Sequence, residues 1–464
     1  MIKSSKIIII FCLFFLIIKV FSISLTNFDL FGDEAQYWAW SKNLDFGYFS
    51  KPPLLPWFIH VYCLVFGDSF FALKMISISI YCLTSILIYS ISMQLNKNKE
   101  LSTYTAIAFF LMPGVTVSSF LLSTDVLLIL FWSLALLQLL KIKKNPNFYR
   151  FVLLGIFVGL AFLTKYAGIY FFICIFFYIL IDKKIRATFL KNKLSALFFI
   201  FTFILVIFPN VIWNIQNNWI TFQHTADNAS LDRTAVNIRG GAEFVFSQII
   251  MIGPILFLCL VFVIKKIKID ENSIFLLSFS LPVFFIVLIE ALIVRANANW
   301  AAVSLIAFLL FFVNQAYIIN RKIIIWNNYL NFFIGTYLFY LIAISSNISA
   351  FDRINGITEF SERLDKITTN YNHLVIGDRM LFSNIKYIYR NKKTNLLTPF
   401  APGSKIGHHF QTSSPLLEKH NDNFLYIGYI DQIKYLSNKK VIKLLESREV
   451  IFSNETLEIY EVIF

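Results

Sequence analysis

The chain has 464 residues, of which 58% are hydrophobic, 18% aromatic and only 15% charged, with a formal net charge of +14. Soluble globular proteins have about 25% charged residues, so the composition excludes a soluble enzyme, a disordered chain and a disulfide scaffold. Nucleic-acid binding is not expected despite the positive charge, because membrane proteins concentrate Lys and Arg in their cytoplasmic loops.

Charged residues divide the chain into two regions. Residues 1–350 contain 40 of the 68 charged residues, whereas residues 351–464 contain the other 28, a density typical of a soluble domain. We therefore predict a membrane domain over residues 1–345 and a small α/β domain over residues 346–464, which is long enough to fold as a unit.

The membrane region is predicted to contain about eleven transmembrane helices, because apolar runs near the ~20 residues needed for a span alternate with short polar breaks. The runs cover residues 7–26, 69–93, 102–122, 125–140, 151–164, 167–181, 194–213, 246–264, 273–294, 300–318 and 323–345. The first run is interpreted as an uncleaved anchor, since it lacks a small-residue cleavage site. The two shortest runs are candidates for half-helices that meet at Lys165.

The distribution of Lys and Arg predicts the orientation. With a cytoplasmic N-terminus, the inner segments hold 18 basic residues and the outer segments hold 6, which is the expected bias. An odd number of spans then places residues 346–464 on the outer side, together with two long outer loops, residues 27–68 and 214–245.

The outer tail is predicted to alternate strands and helices. Strands are expected at residues 374–377, 424–429 and 450–464, where β-branched and aromatic residues cluster. Helical spacing predicts helices over residues 380–390 and 436–445. This pattern is typical of a small α/β domain.

The first outer loop carries the densest polar motif. Asp33 and Glu34 follow the first span, Tyr37 is suited to the membrane interface, and Lys51 precedes a rigid Pro-Pro pair. Adjacent carboxylates can accept a proton or hold a metal, and an ammonium can neutralise a departing lipid phosphate. The alternative is that these charges are simply solvated.

Five further polar residues fall on the predicted outer side. They are Asp125, Lys165, His224, Arg295 and Asn299. Each has an ordinary alternative: a helix cap for the aspartate, snorkelling for the lysine, a structural hydrogen bond for the histidine and an interfacial anchor for the arginine. Their shared side nevertheless favours a membrane-surface active site for a substrate with a long apolar tail and a charged head.

Several motifs resemble one family. Asp33-Glu34-Ala35-Gln36-Tyr37-Trp38, followed by Ser50-Lys51-Pro52-Pro53-Leu54, resembles the multi-spanning GT-C glycosyltransferases, in particular glycosyltransferase family 39 and the bacterial aminoarabinose–lipid A transferases. Weaker matches follow in order along nearly the whole chain. They are Ser123-Thr124-Asp125, Leu163-Thr164-Lys165-Tyr166, Trp213-Asn214, Trp219 to Phe222, Asn299-Trp300, Asp378-Arg379 and Tyr387.

The resemblance implies a transfer reaction at the outer face of the bacterial inner membrane. One sugar would pass from a polyprenyl-phosphate donor of the undecaprenyl type to a glycolipid such as lipid A or lipopolysaccharide, with inversion. Asp33 and Asp125 would be catalytic. Lys51, Lys165 and Arg295 would bind the donor phosphate.

The remaining candidates are assigned to substrate binding by the same reasoning; they are Glu34, Tyr37, His224 and Asn299. Many relatives have Glu immediately before Lys-Pro-Pro where this chain has Ser50, so no metal or other cofactor is assigned, although Asp33, Glu34 and His224 remain a possible metal set. A protein acceptor, a lipid-linked sugar flippase and a membrane assembly protein remain alternative functions.

Overall fold

The computed structural model describes residues 2–229, 236–262, 264–368, 371–436, 440–443, 448–450 and 455–464. This part of the chain is mainly helical and carries a small sheet near its C-terminal end. The predicted fold class, a helical membrane protein with a C-terminal α/β region, agrees with this architecture.

The α-helices are numbered in chain order. They are α1 Ile2–Leu25, α2 Gly32–Ser41, α3 Leu54–Phe66, α4 Phe70–Asn96, α5 Lys99–Leu111, α6 Pro113–Ser118, α7 Thr124–Lys144, α8 Phe148–Thr164, α9 Tyr170–Ile181, α10 Lys183–Lys191, α11 Lys193–Gln216, α12 Ile220–Ala229, α13 Ile238–Ile252, α14 Pro254–Phe262, α15 Glu271–Ser278, α16 Leu281–Ile293, α17 Ala302–Asn320, α18 Lys322–Ala343, α19 Ile357–Thr368, α20 Arg379–Ile388 and α21 Phe410–Ser413. The strands are β1 His373–Ile376, β2 Asn395–Pro399, β3 Pro415–Leu416, β4 Phe424–Gly428, β5 Lys440–Lys443, β6 Arg448–Val450 and β7 Glu455–Ile463.

The chain divides into two compact units. The helical unit comprises Met1–Ser22, Lys51–Leu55 and Phe71–Tyr340. The mixed unit comprises Ile23–Ser50, Pro56–Phe70 and Leu341–Phe464. Each unit therefore combines segments that are distant in sequence, and the predicted boundary near residue 345 remains a prediction.

Every predicted apolar run is mainly helical in the described residues, although breaks at Met112, Gly253 and Phe279–Ser280 divide three of them into shorter helices. Five helical segments are individually long and apolar enough to cross a membrane: Phe70–Asn96, Thr124–Lys144, Lys193–Gln216, Glu271–Ile293 and Ala298–Asn320. Their burial differs: the most apolar stretch of α7 is 83% buried, whereas that of α11 is 17% buried. The apolar side chains of α11 thus face outward, as expected where lipid replaces water.

Small residues bring α8 and α11 together. A Cβ atom placed on Gly155 would lie 2.0 Å from the Thr202 hydroxyl oxygen, and one placed on Gly159 would lie 2.7 Å from a Val206 methyl group. Such close approach is what a small-xxx-small pattern provides between membrane helices, where packing rather than the hydrophobic effect drives association. The pattern therefore fixes the position of α8, which ends one residue before Lys165.

The sheet belongs to the mixed unit. Its strand order is β3-β2-β1-β4-β7-β5, with β6 also paired to β7. Strands β3, β2, β1 and β4 are parallel, and β7 is antiparallel to its three neighbours. Val375, Phe424, Tyr426 and Val462 lie in its buried core.

The tail prediction is partly correct. Strand β1, helix α20 and strand β4 occupy the predicted segments, but β5 lies within residues 436–445, where a helix was predicted. That prediction is wrong because β5 pairs with β7, so tertiary hydrogen bonds override the local spacing. Parts of the predicted segments 214–245, 246–264, 436–445 and 450–464 lie outside the described residues.

The first outer loop also differs from its prediction. Residues 27–68 contain α2 and α3 rather than an extended loop. The sequence did not predict helix α3 because its apolar run is shorter than the ~20 residues that a membrane span needs. Its C-terminal half exposes Val61, Leu64 and Val65.

Candidate functional site

Three predicted site residues meet in the helical unit. The Lys165 ammonium donates to Asp125 Oδ1 at 2.7 Å, and the Asn299 side-chain amide donates to Asp125 Oδ2 at 2.6 Å. The side chains of Asp125 and Lys165 are 7% and 17% exposed. Because one cation and one amide each hold one of its oxygens, the Asp125 carboxylate is fixed in a single orientation.

Local structure explains this meeting. Asp125 lies in the first turn of α7, and Asn299 lies in a 3₁₀ helix, Ala298–Ala301, that leads into α17. Lys165 is a single extended residue between α8 and a second 3₁₀ helix, Tyr166–Ile169. Asp125 bonds to Lys165 and Asn299, which is not the helix-capping contact considered for it above. Lys165 is paired with Asp125, which is not the snorkelling to lipid headgroups considered for it above.

A glycine makes the turn at Lys165 possible. The amide of Gly168 donates to the Lys165 carbonyl at 2.9 Å. A Cβ atom on Gly168 would lie 2.5 Å from the Phe162 backbone nitrogen, so the chain folds back on α8 more closely than other residues allow. The predicted break between two half-helices is therefore a tight turn that directs Lys165 to Asp125.

A cavity of about 560 Å³ adjoins this cluster. The polar lining of the cavity includes Asp125, Asn299 and Ser123, and most of the remaining lining is apolar. The apolar lining residues include Met112, Val115, Leu121, Ile129, Ile250, Met251 and Leu305. An apolar space with a fixed carboxylate and amide in its wall suits an amphipathic ligand.

The other predicted residues of the helical unit lie in separate elements. Lys51 is half-buried in the bend that precedes α3, and His224 is half-buried on α12. Arg295 is exposed just after α16 and forms no ion pair with any residue that the structure describes. The two hydrogen bonds of Asp125 described above go to Lys165 and Asn299 and do not involve these three residues.

Asp33 lies in the first turn of α2, in the mixed unit. Its carboxylate is 3.3 Å from a terminal nitrogen of Arg379, and the same nitrogen donates to the Gln36 side-chain oxygen at 2.8 Å. The Asp33 and Arg379 side chains are 40% and 33% exposed. The aspartate is therefore positioned by a cation yet accessible from outside.

Glu34 and Tyr37 are more enclosed than Asp33. Glu34 is 1% exposed, and its carboxylate accepts from the Phe31 amide at 2.7 Å, which caps the start of α2. Tyr37 is 5% exposed and packs against Trp40. Their predicted role in substrate binding remains a prediction.

Sequence reasoning assigned no role to Arg379 or Asp68. The Arg379 motif was noticed, but a partner 346 residues away is invisible to local spacing. Asp68 accepts from the Trp38 indole at 3.1 Å and from Lys42 at 2.7 Å. Burial raises the pKa of Asp68, but these hydrogen bonds outweigh burial and hold it below its usual range.

Two histidines lie near the same elements. His409 packs edge-on against Trp40 and Tyr48. Burial, together with neighbouring cations, lowers the pKa of both His408 and His409 to about 4. Both imidazoles are therefore neutral at pH 7, and neither was predicted as a site residue.

A metal-compatible group of histidine and acidic side chains lies elsewhere in the mixed unit. Within the described ranges it consists of His373, His420 and Asp422. Asp33 and Glu34 belong to the mixed unit and His224 to the helical unit, and the metal set suggested for them remains a prediction.

Sequence comparison identifies relatives for part of the chain. Residues 50–213 match the family described as dolichyl-phosphate-mannose-protein mannosyltransferase. The lipid A galacturonosyltransferase RgtD of Rhizobium johnstonii is 29% identical over 297 residues, which cover 62% of this chain and 61% of RgtD. The undecaprenyl phosphate-alpha-4-amino-4-deoxy-L-arabinose arabinosyl transferase of Yersinia pestis is 29% identical over 135 residues, 28% of this chain and 24% of that protein. The matches thus span less than two thirds of these curated relatives.

Structural comparison covers almost the whole chain. The crystal structures of ArnT from Cupriavidus metallidurans, in the apo state and bound to undecaprenyl phosphate, both align with a TM-score of 0.66. The alignments cover 99% of this chain and 98% of ArnT at 12% and 14% identity, which establishes a shared fold. The predicted resemblance to the GT-C glycosyltransferases is confirmed.

Proposed function

We propose that this chain, which has the GT-C fold, is a membrane glycosyltransferase that moves a single sugar from a polyprenyl-phosphate donor to a cell-envelope glycolipid. Fold alone does not specify chemistry, so the proposal depends on the site. The observation that carries it is the Asp125–Lys165–Asn299 cluster in the wall of a largely apolar cavity of about 560 Å³.

The cavity suits the donor. A polyprenyl-phosphate sugar joins a long apolar chain to a charged, hydroxyl-rich head. The apolar lining matches the chain, while Asp125 and Asn299 offer an acceptor and a donor of hydrogen bonds to the head. We assign Asp125 to positioning the sugar, with Lys165 keeping its carboxylate in place.

The leaving phosphate needs positive charge. A phosphate diester departs readily once its developing negative charge is balanced, so one or two cations suffice. Lys51 and Arg295 are our candidates for this role, and Lys165 is a third. Arg295 is exposed and not engaged in an ion pair within the described residues, so its charge is available to a ligand.

Asp33 is our candidate for the general base. In the proposed inverting step, an acceptor hydroxyl oxygen forms a bond to the anomeric carbon while the bond from that carbon to the phosphate oxygen breaks. The hydroxyl proton passes to the Asp33 carboxylate, and the electron pair leaves with the polyprenyl phosphate. Its 40% exposure and its contact with Arg379 give Asp33 both access and orientation.

The relatives support the choice of acceptor. RgtD is named for transfer to lipid A, and ArnT was crystallised with undecaprenyl phosphate. We therefore favour lipid A or lipopolysaccharide over a protein acceptor. We further propose that the site and the C-terminal domain lie on the periplasmic side of the inner membrane, and the excess of basic residues in the predicted inner segments supports this orientation.

Replacing Asp33 by Asn tests the proposed chemistry. Loss of a general base typically slows a reaction by about 10²–10⁴-fold, so sugar transfer should fall by at least about 100-fold while the protein accumulates and inserts normally. Transfer is measured with purified protein, labelled donor and glycolipid in detergent. Asp45→Asn, which changes an exposed aspartate that follows α2, is the matched control.

Two outcomes would contradict the proposal. Unchanged transfer in Asp33→Asn would remove Asp33 from the chemistry. If purified wild-type protein in proteoliposomes translocates the labelled donor without transferring its sugar, the chain is a flippase instead.

A further inference from the structure

Three parallel strands of the sheet begin at the same edge. His373 is the first residue of β1, and it stands opposite Asn395, the first residue of β2. On the other side, β1 pairs with β4 in a register that places Leu374 beside Leu425. The residues just before β4, which include His420 and Asp422, therefore lie next to His373.

The side chains at this edge converge. The candidate ligand atoms of His373, His420 and Asp422 all lie within 4.8 Å of one another. His373 Nε2 is 3.4 Å from an Asp422 carboxylate oxygen, and the two imidazole rings are 4.8 Å apart at 88°. The edge thus presents two imidazoles and one carboxylate to a common point.

One ring nitrogen of this histidine pair is unsatisfied. His420 Nε2 is buried and has no hydrogen-bond partner among the described residues. A buried polar atom without a partner is unfavourable, so such atoms in native proteins usually have a ligand or a water. The unpaired nitrogen is therefore evidence for a bound group, independent of the clustering.

The surrounding contacts suit metal coordination. The Asn395 amide nitrogen lies 3.3 Å from His373 Nδ1, and turning this amide by 180° would instead place its oxygen there to accept an Nδ1 proton. In that flipped arrangement the Nε2 lone pair of His373 faces Asp422 and can bind a metal, as in most metal-binding histidines.

We propose that His373, His420 and Asp422 bind one Zn²⁺ ion. Nitrogen and carboxylate ligands at about 2.0–2.2 Å are typical of zinc, and a fourth position would take water. Ligand atoms bound to one tetrahedral ion at this distance lie about 3.4 Å apart, so the present separations of up to 4.8 Å would close by up to about 1.4 Å when the ion binds. The ion would tie the segment before β4 to the start of β1, a stabilising role separate from sugar transfer.

Zinc titration of the full-length protein tests this site. The protein is purified in detergent, stripped with a chelator and titrated with ZnCl₂ in a calorimeter, and bound zinc is counted by elemental analysis. Wild type should bind one ion per chain through this site. Because outer contacts alone are worth about 10–100-fold in metal affinity, loss of a ligand in His420→Ala should weaken binding by at least about 100-fold.

Two further variants complete the test. Asp422→Asn changes a mostly exposed side chain, so it should fold even if His420→Ala does not, and it should also weaken zinc binding. His408→Gln is the matched control, because it removes another imidazole with a buried, unpartnered nitrogen outside the cluster, and its zinc affinity should equal that of wild type. Zinc should raise the melting temperature of wild type and not of Asp422→Asn. Absence of zinc binding in wild type, or equal binding in wild type and Asp422→Asn, overturns the proposal.

Discussion

Two aspartate ion pairs contrast the helical and mixed units. In the helical unit, Asp125 and Lys165 are 7% and 17% exposed and lie 2.7 Å apart. In the mixed unit, Asp33 and Arg379 are 40% and 33% exposed and lie 3.3 Å apart. An aspartate thus pairs with a cation once in a largely buried environment and once in a partly solvent-exposed one.

The difference suits the two roles that we propose. A buried carboxylate fixed by a cation and an amide keeps one direction, which favours positioning a donor head group. A half-exposed carboxylate can meet an acceptor hydroxyl and later release its proton to water, as a general base must. Burial therefore separates a positioning aspartate from a proton-accepting one.

Among the single substitutions, Asp125→Ala should produce the largest loss of stability. It leaves the Lys165 ammonium buried without its partner, and breaking a buried pair in this way is unfavourable by about 3–5 kcal/mol. The apparent melting temperature in detergent should fall accordingly. Adding Lys165→Met in the same chain removes the stranded charge and should recover most of the loss; equal instability of the single and double variants would contradict the buried-pair account.

The sequence predicted the members of the Asp125 cluster but not their contacts. Their common outer side follows from counting basic residues, which reports on topology alone. Asp125 and Asn299 are 174 residues apart, and their contact depends on how α7 and α17 pack. That packing arises from side-chain shapes along both helices, which hydropathy does not encode.

The mixed unit was harder to predict for a different reason. Asp33 was identified from its motif, but its partner Arg379 comes from the distant tail. Strand β5 shows the same limit, because its pairing with β7 overrides local helical spacing. Local patterns therefore gave the chemistry of single residues, while long-range pairing determined their surroundings.

Acid should destabilise the mixed unit through its two buried histidines. The pKa of His408 and of His409 is lowered from 6.5 to about 4, so the unfolded chain takes up protons that the folded chain does not. Stability is fully retained above pH 6.5 and falls as the pH drops from 6.5 to 4, by about 3 kcal/mol for each histidine.

Tryptophan fluorescence during urea unfolding at several pH values measures this loss. The His408→Gln/His409→Gln double variant should show a clearly flatter dependence of stability between pH 6.5 and 4. An equally steep dependence in the double variant would assign the acid sensitivity to other groups.

Arg379→Met should have the smallest effect on stability. Because the Arg379–Asp33 pair is partly solvated, removing the guanidinium should change the free energy of unfolding by about 1 kcal/mol or less. The thermal unfolding of Arg379→Met is measured in detergent together with that of Asp125→Ala and of the wild type. If Arg379→Met proved as destabilising as Asp125→Ala, the proposed difference between the buried Asp125–Lys165 pair and the partly exposed Asp33–Arg379 pair would be wrong.

The claim that the chain glycosylates an envelope lipid is tested most directly by mass spectrometry of envelope lipids. Three strains are compared, one with the wild-type gene, one without it and one with the Asp33→Asn variant at equal protein abundance. We predict that one glycolipid is lighter by the mass of a single sugar in the second and third strains. Identical lipid spectra in all three strains would contradict the account.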